Sequence, residues 1–363
     1  DTIASPCSVF KGSVETRGLV FLCAHDLHLL VIVITSDNRG NHTMGEDDAA
    51  RVFYRDRPEW ADVTPIPQDE SPNPIVKIDY TEEFVDVMDY FRGIVALGER
   101  SQRMLDITSE VIARNGASCT GWYWRWKCIQ GLAGNLLEEL DYCDRLATRY
   151  AKNYQLWQHR RQVVEMIGAS VAQREIQFLD ELLEDDAKNY HMWSYRQWLV
   201  RTYGLWDEDL ELVNRLIRID VRNNSAWNER YYVLSRGATD KAHLLAVTSE
   251  ELQYTSNLIE MVPNNEAAWS YARALPADPA TGASSIANLV PLATKVVAEH
   301  PKNVHALALL AEAAAEVLAS DASPTDKERA AATAIQYYQQ LIEVDPMRMR
   351  YWAWCLQQIK QCS

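Results

Sequence analysis

The chain has 363 residues, of which 47% are hydrophobic and 24% charged, a composition typical of a globular protein with a substantial core. Its net charge of -15, from 51 acidic and 36 basic residues, excludes a nucleic-acid backbone as the main partner. The seven cysteines are widely spaced, without a C-x-x-C pair and without histidines at ligand spacing, which predicts reduced thiols, a cytoplasmic location and no metal site in this chain.

The most apolar stretch of the chain lies near its beginning, from Gly18 to Thr35. His25, Asp26 and His28 interrupt it and leave an uninterrupted run of about eight residues, whereas a membrane span needs roughly 20. We therefore expect no membrane-spanning segment here.

Three regions follow one another along the chain. Residues 1–43 are predicted to be an extension outside the fold, because the sequence MGEDDAARVF from Met44 reads like a natural start. Residues 44–80 contain the proline-rich stretch Ala61 to Pro74 and are predicted to form an extended arm. Residues 81–363 are predicted to hold the folded repeats.

A pattern of Asn, Trp and Arg recurs in the middle of the chain. Four segments follow N-x-x-x-W-x-x-R or a close variant: NYQLWQHRR from Asn153, NYHMWSYR from Asn189, NNSAWNER from Asn223 and NEAAWSYAR from Asn265. An upstream copy, SCTGWYWR from Ser118, keeps the Trp and the Arg but has no Asn. The tryptophans at positions 122, 157, 193, 227 and 269 are 34 to 42 residues apart, which is the period of a two-helix repeat.

Each repeat is predicted to be an antiparallel pair of helices. The Asn is a favourable N-cap for the Trp helix, because its side-chain oxygen accepts hydrogen bonds from the first free N–H groups. Between the Trp segments, apolar residues follow one helical stripe: Ile176, Leu179, Leu182 and Leu183, then Leu210, Val213, Leu216 and Ile217. Stacked pairs bury a continuous core, so we predict an all-α fold, an α-α superhelix without a β-sheet.

The repeated Trp and Arg have a structural interpretation. They lie one helical turn apart, so the ring is expected to pack between helical pairs and the guanidinium to bond to a neighbouring turn. The tetratricopeptide pattern is not met, because Arg or Ala stands at its Leu position and no Gly follows. A non-catalytic, peptide-binding adaptor of tetratricopeptide-like repeats stays open as an alternative function.

These repeats resemble those of protein prenyltransferase α subunits. FYRDRPEWADVTPIPQ, DYFRGIVALGERS, AKNYQLWQHRRQVVE, DAKNYHMWSYRQWLV and DVRNNSAWNERYYV are similar to the α subunit shared by protein farnesyltransferase and type I geranylgeranyltransferase, over about Phe53 to Leu275. The resemblance implies a heterodimeric enzyme that transfers farnesyl or geranylgeranyl from the isoprenyl diphosphate to the Cys of C-terminal C-a-a-X proteins. A Rab geranylgeranyltransferase α subunit is a second alternative, although that relative usually carries extra domains.

The resemblance also implies where the cofactors lie. The chain wraps around a β subunit that holds zinc and most of the isoprenoid pocket, magnesium accompanies the diphosphate, and this chain alone binds neither metal. Lys152, in AKNYQ, matches the lysine that reaches the diphosphate leaving group, with Tyr154 beside it. These two residues are therefore candidates for a catalytic and a substrate-binding role.

The same resemblance assigns further side chains to the substrate. Gln155 matches the glutamine that hydrogen-bonds the substrate's C-terminal carboxylate, and the second KNYH element, Asn189, Tyr190 and His191, matches residues that line the same cleft. On sequence alone, a lysine before an Asn cap is usually solvated, and tyrosine and histidine usually pack. Lys188, which occupies the position of Lys152 in the next repeat, keeps that structural interpretation.

Cys119 departs from the family pattern. The first repeat reads Ser118-Cys119 where the family commonly has Asn-Tyr, and that tyrosine borders the pocket for the last substrate residue. Cys119 is thus a candidate substrate-binding residue, and the preferred X residue stays open. The sequence also leaves open which β subunits the chain uses and which isoprenoid it transfers.

Overall fold

The computed structural model describes residues 52–70, 75, 76, 78–132, 134–236, 241–277 and 282–362, apart from the side chains of 241–246 and 362. Fifteen α-helices, three single-turn 3-10 helices and no β-strand occur within these residues, which confirms the all-α prediction. The α-helices are α1 Glu82–Leu97, α2 Gln102–Arg114, α3 Cys119–Leu132, α4 Leu136–Arg149, α5 Tyr154–Ile167, α6 Ala172–Asp185, α7 Tyr190–Tyr203, α8 Trp206–Ile219, α9 Asn224–Arg236, α10 Lys241–Met261, α11 Glu266–Ala274, α12 Ser285–Glu299, α13 Val304–Ala319, α14 Pro324–Val344 and α15 Met349–Cys362.

The predicted extension at residues 1–43 lies outside the described residues. The described part of the predicted arm begins with two 3-10 turns, Tyr54–Asp56 and Pro58–Trp60, and has no regular secondary structure at 64–70. Tyr54 and Trp60 are buried against α1 and α2, and Tyr54 N donates to Asp86 Oδ2 at 2.6 Å. The start of this segment is therefore packed on the core rather than extended.

The helices form stacked antiparallel pairs, as predicted. The consecutive helices α2 and α3, α4 and α5, α6 and α7, α8 and α9, and α10 and α11 pack on each other, and the Trp helices also pack on one another, α3 on α5, α5 on α7 and α9 on α11. The predicted apolar stripe of α6 is buried at Ile176, Leu179, Leu182 and Leu183. In α8 the buried stripe includes Leu212 in place of the predicted Leu210, which is partly exposed.

One backbone carbonyl joins each Trp helix to the next. The indole Nε1 of each repeated Trp donates to the carbonyl six residues earlier, at 2.8 to 3.0 Å. The Asn that caps α5, α7, α9, α11 or α13, the corresponding helix of the next repeat, donates its Nδ2 to the same carbonyl, at 2.6 to 3.5 Å. These shared carbonyls belong to Gly116, Ala151, Ala187, Val221 and Pro263. The Asn is thus both the predicted N-cap and a bond between repeats.

The repeated arginines bind buried acids. Arg125, Arg160 and Arg230 each bind a glutamate through Nε and Nη2 at 2.6 to 2.7 Å. The acceptors are Glu139, Glu175 and Glu251, on the helix that follows each Trp helix and 14 to 21 residues away. The prediction that the guanidinium bonds to a neighbouring turn is therefore wrong, because the partner comes from the second helix of the pair.

A side chain of the next Trp helix forms a further hydrogen bond with each of these acids. His159 Nε2 lies 2.6 Å from Glu139, and the hydroxyls of Tyr195 and Tyr271 donate to Glu175 and Glu251 at 2.7 and 2.6 Å. Each of these side chains directly precedes the position of the repeated Arg. The buried acids, like the shared carbonyls, therefore tie neighbouring repeats together.

The pattern changes towards the C-terminus. Asn303 donates to the Pro263 carbonyl, but Leu307 stands at the Trp position, so no indole binds a carbonyl in that repeat. Helices α13 to α15 share a separate core rich in alanine. Trp352 is buried there, and its Nε1 donates to Asp345 Oδ2 at 3.0 Å instead of to a backbone carbonyl.

Candidate functional site

The side chains predicted from the sequence to form a site meet at one edge of the stacked Trp helices. Cys119, Tyr154 and Tyr190 are the first residues of α3, α5 and α7, and each of the other candidates lies within two residues of such a start. Because these three helices stack side by side, their N-terminal ends form a continuous edge. The remaining candidates are Lys152, Gln155, Asn189 and His191.

Aromatic side chains of two repeats meet at this edge. Tyr154 and Tyr190 are 66% and 67% exposed, which is unusual for such large rings. The His191 ring makes an edge contact with Tyr154 at 4.2 Å between centroids and with Tyr190 at 5.6 Å. Partial burial and then the nearby Lys152 charge lower the pKa of His191, so its imidazole is neutral at pH 7.

Lys152 extends from the turn before α5 and its side chain is 78% exposed. Its Nζ lies 3.8 Å from Asp186 Oδ2, a contact between exposed groups that is easily exchanged for another anion. Lys188 has the same relation to Asp220, at 3.6 Å, one repeat further on. The two lysines are thus matched in position, but of the two only the Lys152 charge acts on His191.

Asn189 differs from the other candidates because it is only 2% exposed. Its Oδ1 accepts from the backbone N–H groups of His191 and Met192, and its Nδ2 lies 3.3 Å from Asp186 Oδ2 and 3.5 Å from the Ala151 carbonyl. The amide is fully engaged in the protein. Asn189 therefore orients the first turn of α7 instead of facing the cleft that it was predicted to line.

Gln155 and Cys119 face each other across the gap between α5 and α3. Gln155 Nε2 lies 3.5 Å from the exposed Cys119 Sγ. Both line an open cavity of about 280 Å³ whose other wall is aromatic, with Trp122, Tyr123 and Trp126. A second open cavity, of about 240 Å³, lies between α5 and α7 beside His191, and Tyr154 borders both.

One group of metal-ligand side chains occurs among the described residues. Glu139, Cys143 and His159 are buried, with ligand atoms within 4.8 Å of one another. Both oxygens of Glu139 are bound by Arg125, and burial raises the pKa of the Cys143 thiol, so that no thiolate forms there. The positive guanidinium and the neutral thiol make this cluster a hydrogen-bonded part of the core.

Comparison with known proteins identifies this architecture. The description "Protein prenyltransferase alpha subunit repeat" fits residues 136–167, 172–203, 206–237 and 248–275. A relative from Pisum sativum, named protein farnesyltransferase/geranylgeranyltransferase type-1 subunit alpha, is 37% identical over 89% of this chain and 99% of its own length. The chain belongs to the protein prenyltransferase α-subunit family. The resemblance stated from the sequence is thereby confirmed.

Further similarities concern the same kind of subunit. The Arabidopsis thaliana protein of the same name is 38% identical over 82% of this α subunit and 94% of its own length. A solved structure, Candida albicans protein geranylgeranyltransferase-I complexed with GGPP, has a TM-score of 0.71 and 27% identity over 82% of this chain and 97% of that chain. The type-1 relatives support neither the adaptor nor the Rab-type alternative.

Two further features of this α subunit concern its helices and its cysteines. None of its described helices is long and apolar enough to cross a membrane. The described cysteines with resolved side chains, Cys119, Cys128, Cys143 and Cys355, are free thiols.

Sequence reasoning missed the network of buried acids that supports the edge. His159, Glu139 and Arg125 lie directly behind the cavity next to Gln155. The only sign of this network in the sequence is that a His or a Tyr recurs directly before the repeated Arg. This pattern indicates a buried contact and not a ligand site.

Proposed function

We propose that this α subunit contributes one edge of a composite active site, completed by a β subunit, in which farnesyl or geranylgeranyl is transferred from its diphosphate to a C-terminal C-a-a-X cysteine. The observation that carries the proposal is the meeting of Lys152, Tyr154, Gln155 and His191 at one exposed edge, in a chain of the prenyltransferase α-subunit family. The net charge of -15 opposes anion binding over most of the surface, and the exposed Lys152 supplies a local positive charge for an anion at this edge.

In this reaction the bond between isoprenyl C1 and the diphosphate oxygen breaks, and a thioether forms at the cysteine sulfur. The diphosphate leaves with the electron pair, so negative charge develops on its oxygen. Lys152 supplies a mobile cation to that oxygen, and the exposed Tyr154 and Tyr190 hydroxyls and the neutral His191 add hydrogen-bond donors. Magnesium, when bound with the diphosphate, would supply further positive charge to the same group.

The other end of the site fits a peptide terminus. The Gln155 amide, at the mouth of the aromatic cavity, is positioned to donate to the C-terminal carboxylate of the substrate. Its only described hydrogen-bonding contact beyond its own helix is the weak acceptor Cys119 Sγ. The side chain of X would then enter the cavity beside Cys119. Asn189 holds the α7 turn that presents Tyr190 and His191.

The substrate thiol must also lose its proton to solvent, and zinc, when bound, would lower the thiol pKa enough for this at neutral pH. We assign the zinc to the β subunit, because the one described cluster of possible metal ligands in this chain has both oxygens of its glutamate, Glu139, bound to Arg125. The free thiols support a location of this α subunit in the reducing cytoplasm.

The decisive experiment is co-expression of the full chain with candidate β subunits, followed by assay with farnesyl and geranylgeranyl diphosphate. We expect a stoichiometric complex that transfers at least one of the two groups, and no transfer by the β-free chain. Prenyl transfer by the β-free chain contradicts the proposal. Binding of short peptides by the chain alone, without any complex, favours the adaptor instead.

A further inference from the structure

One of the buried Arg–carboxylate pairs differs from the other three. Arg125, Arg160 and Arg230 each meet a glutamate through two nitrogens. Arg196 instead meets Asp209, whose side chain is one methylene shorter, and only its Nε reaches the acid, at 2.5 Å from Oδ1. Both Arg196 and Asp209 have no exposed side-chain surface.

The side chain supplied by the next Trp helix differs as well. Where His159, Tyr195 and Tyr271 stand in their repeats, this repeat has Glu229, an acid that is 1% exposed. An ionised carboxylate only accepts hydrogen bonds, so it cannot take the place of a tyrosine hydroxyl. Gln197 Nε2 donates to Glu229 Oε2 at 2.6 Å, whereas Glu229 Oε1 and Asp209 Oδ2 are buried without a separate hydrogen-bond donor.

The surrounding charges leave an excess of acid. From α6, Asp180 binds Arg196 Nη1 at 2.7 Å and Arg215 Nη2 at 3.0 Å. Arg215, on α8, also has its Nε 3.4 Å from Oε1 of the more exposed Glu184. On α9, Tyr232 is near both acids, and burial raises the pKa of its hydroxyl, so it stays neutral. Apart from the exposed Glu184, these two arginines face the three buried or half-buried acids Asp180, Asp209 and Glu229, and one proton held by the pair of Asp209 and Glu229 removes the excess negative charge.

We propose that Glu229 is a neutral carboxylic acid at pH 7 and donates its proton to Asp209 Oδ2, so that a single buried proton joins α9 to α8 and makes this contact sensitive to alkaline pH. Asp209 is the charged member of the pair because Arg196 binds its other oxygen. The neighbouring α7 carries Tyr190 and His191 at its start and Arg196 and Gln197 in its middle, so the contact lies behind the candidate site. This proposal is independent of the proposed function.

The pKa shifts agree with this geometry. Burial and then the Asp209 carboxylate raise the pKa of Glu229 to about 9. In the unfolded chain a glutamate titrates at about 4.3. Between those values the folded chain holds one proton that the unfolded chain has lost, so folding becomes about tenfold less favourable for each pH unit of increase, and this effect levels off above about pH 9.

The test compares the full chain with Glu229→Gln in urea unfolding from about pH 6 to pH 9.5. The amide is the same size, can donate to Asp209 through nitrogen and can accept from Gln197 through oxygen, and it does not titrate. We expect the ratio of the two folding constants to change about tenfold per pH unit in favour of the variant. Parallel pH curves for the two proteins overturn the proposal.

Tyr195→Phe is the matched control. It removes the equivalent donor from Glu175 in the preceding repeat, and burial raises the pKa of Tyr195 well above its ordinary value. Its loss of stability should therefore be independent of pH over this range. If Glu229→Gln does not fold, the wild-type infrared spectrum decides. A neutral carboxylic-acid band that persists at pH 7 and disappears as the pH passes about 9 supports the proposal, and the lack of such a band at pH 7 overturns it.

Discussion

Lys152 and Lys188 occupy the same position in consecutive repeats and have the same kind of acidic neighbour. We predict that Lys152→Ala lowers kcat about 10²-fold, as the loss of one preorganised charge-stabilising donor typically does, with a smaller effect on the peptide KM. Lys188→Ala should leave kcat nearly unchanged, because Lys188 pairs with Asp220 and its charge, unlike that of Lys152, does not act on His191.

Single-turnover kinetics of the intact heterodimer measure both lysine variants. An unchanged single-turnover rate for Lys152→Ala removes this residue from the mechanism. An equal loss in both variants indicates a general electrostatic effect instead of a specific contact.

Cys119 is a small side chain at the mouth of an aromatic cavity. Replacing a phenol by a thiol leaves space, and one buried methylene is worth about 0.8 kcal/mol, so we predict that the wild type accepts bulky X residues such as Phe or Met. Cys119→Tyr should lower kcat/KM for peptides that end in such bulky residues by about 10-fold to 200-fold.

The measurement is a kcat/KM series over X in otherwise identical peptides. Gln155→Ala is the control, because loss of a carboxylate contact should lower kcat/KM for every X alike. An unchanged X profile in Cys119→Tyr shows that this position does not shape the pocket.

At the level of helices, the Asn residues combine an N-cap with a bond between repeats. Asn265 caps α11 through Ala267 N and donates to the shared Val221 carbonyl, 2.7 Å away. We predict that Asn265→Ala lowers the free energy of unfolding by about 2 kcal/mol, about 1 for the cap and about 1 for the second hydrogen bond.

Ser323→Ala is the matched cap control. Ser323 caps α14 by accepting from Asp326 N, and its other bond, to the Asp326 side chain, is local and exposed. Its loss should cost about 1 kcal/mol. Equal losses in urea unfolding of the two variants contradict a stabilising role for the shared carbonyl.

The helices themselves were predictable because their signals are local. The Asn caps and the stripe of α6 follow from residues within one or two turns of each other. The partners of the arginines were not predictable, since Glu175 lies 15 residues from Arg160 and only the packing of two helices brings them together. The same holds for Asp209 and Glu229, which lie on the different helices α8 and α9, and for the burial of Asn189, which depends on the preceding repeat.

For the whole chain, the described core begins at Tyr54, which follows the predicted extension in the sequence. We predict that deleting residues 1–43 leaves complex formation and kcat intact, because the first described core contacts come from Tyr54 and Trp60. Deletion of residues 1–60 is the contrasting variant, since it removes both rings and the Tyr54 bond to Asp86. Co-purification yield and Tm measure the difference. Loss of the complex after the shorter deletion shows that the first segment belongs to the fold.

The shared carbonyls also bear on how such a chain changes length in evolution. Each helical pair offers a carbonyl on one side and an asparagine amide on the other, so one pair is complementary to a copy of itself. An in-frame duplication of one pair therefore creates no foreign interface, because the copy meets the groups that its original already binds. The superhelix can lengthen by whole helical pairs while the residues at the N-terminal edge of the Trp helices keep their spacing.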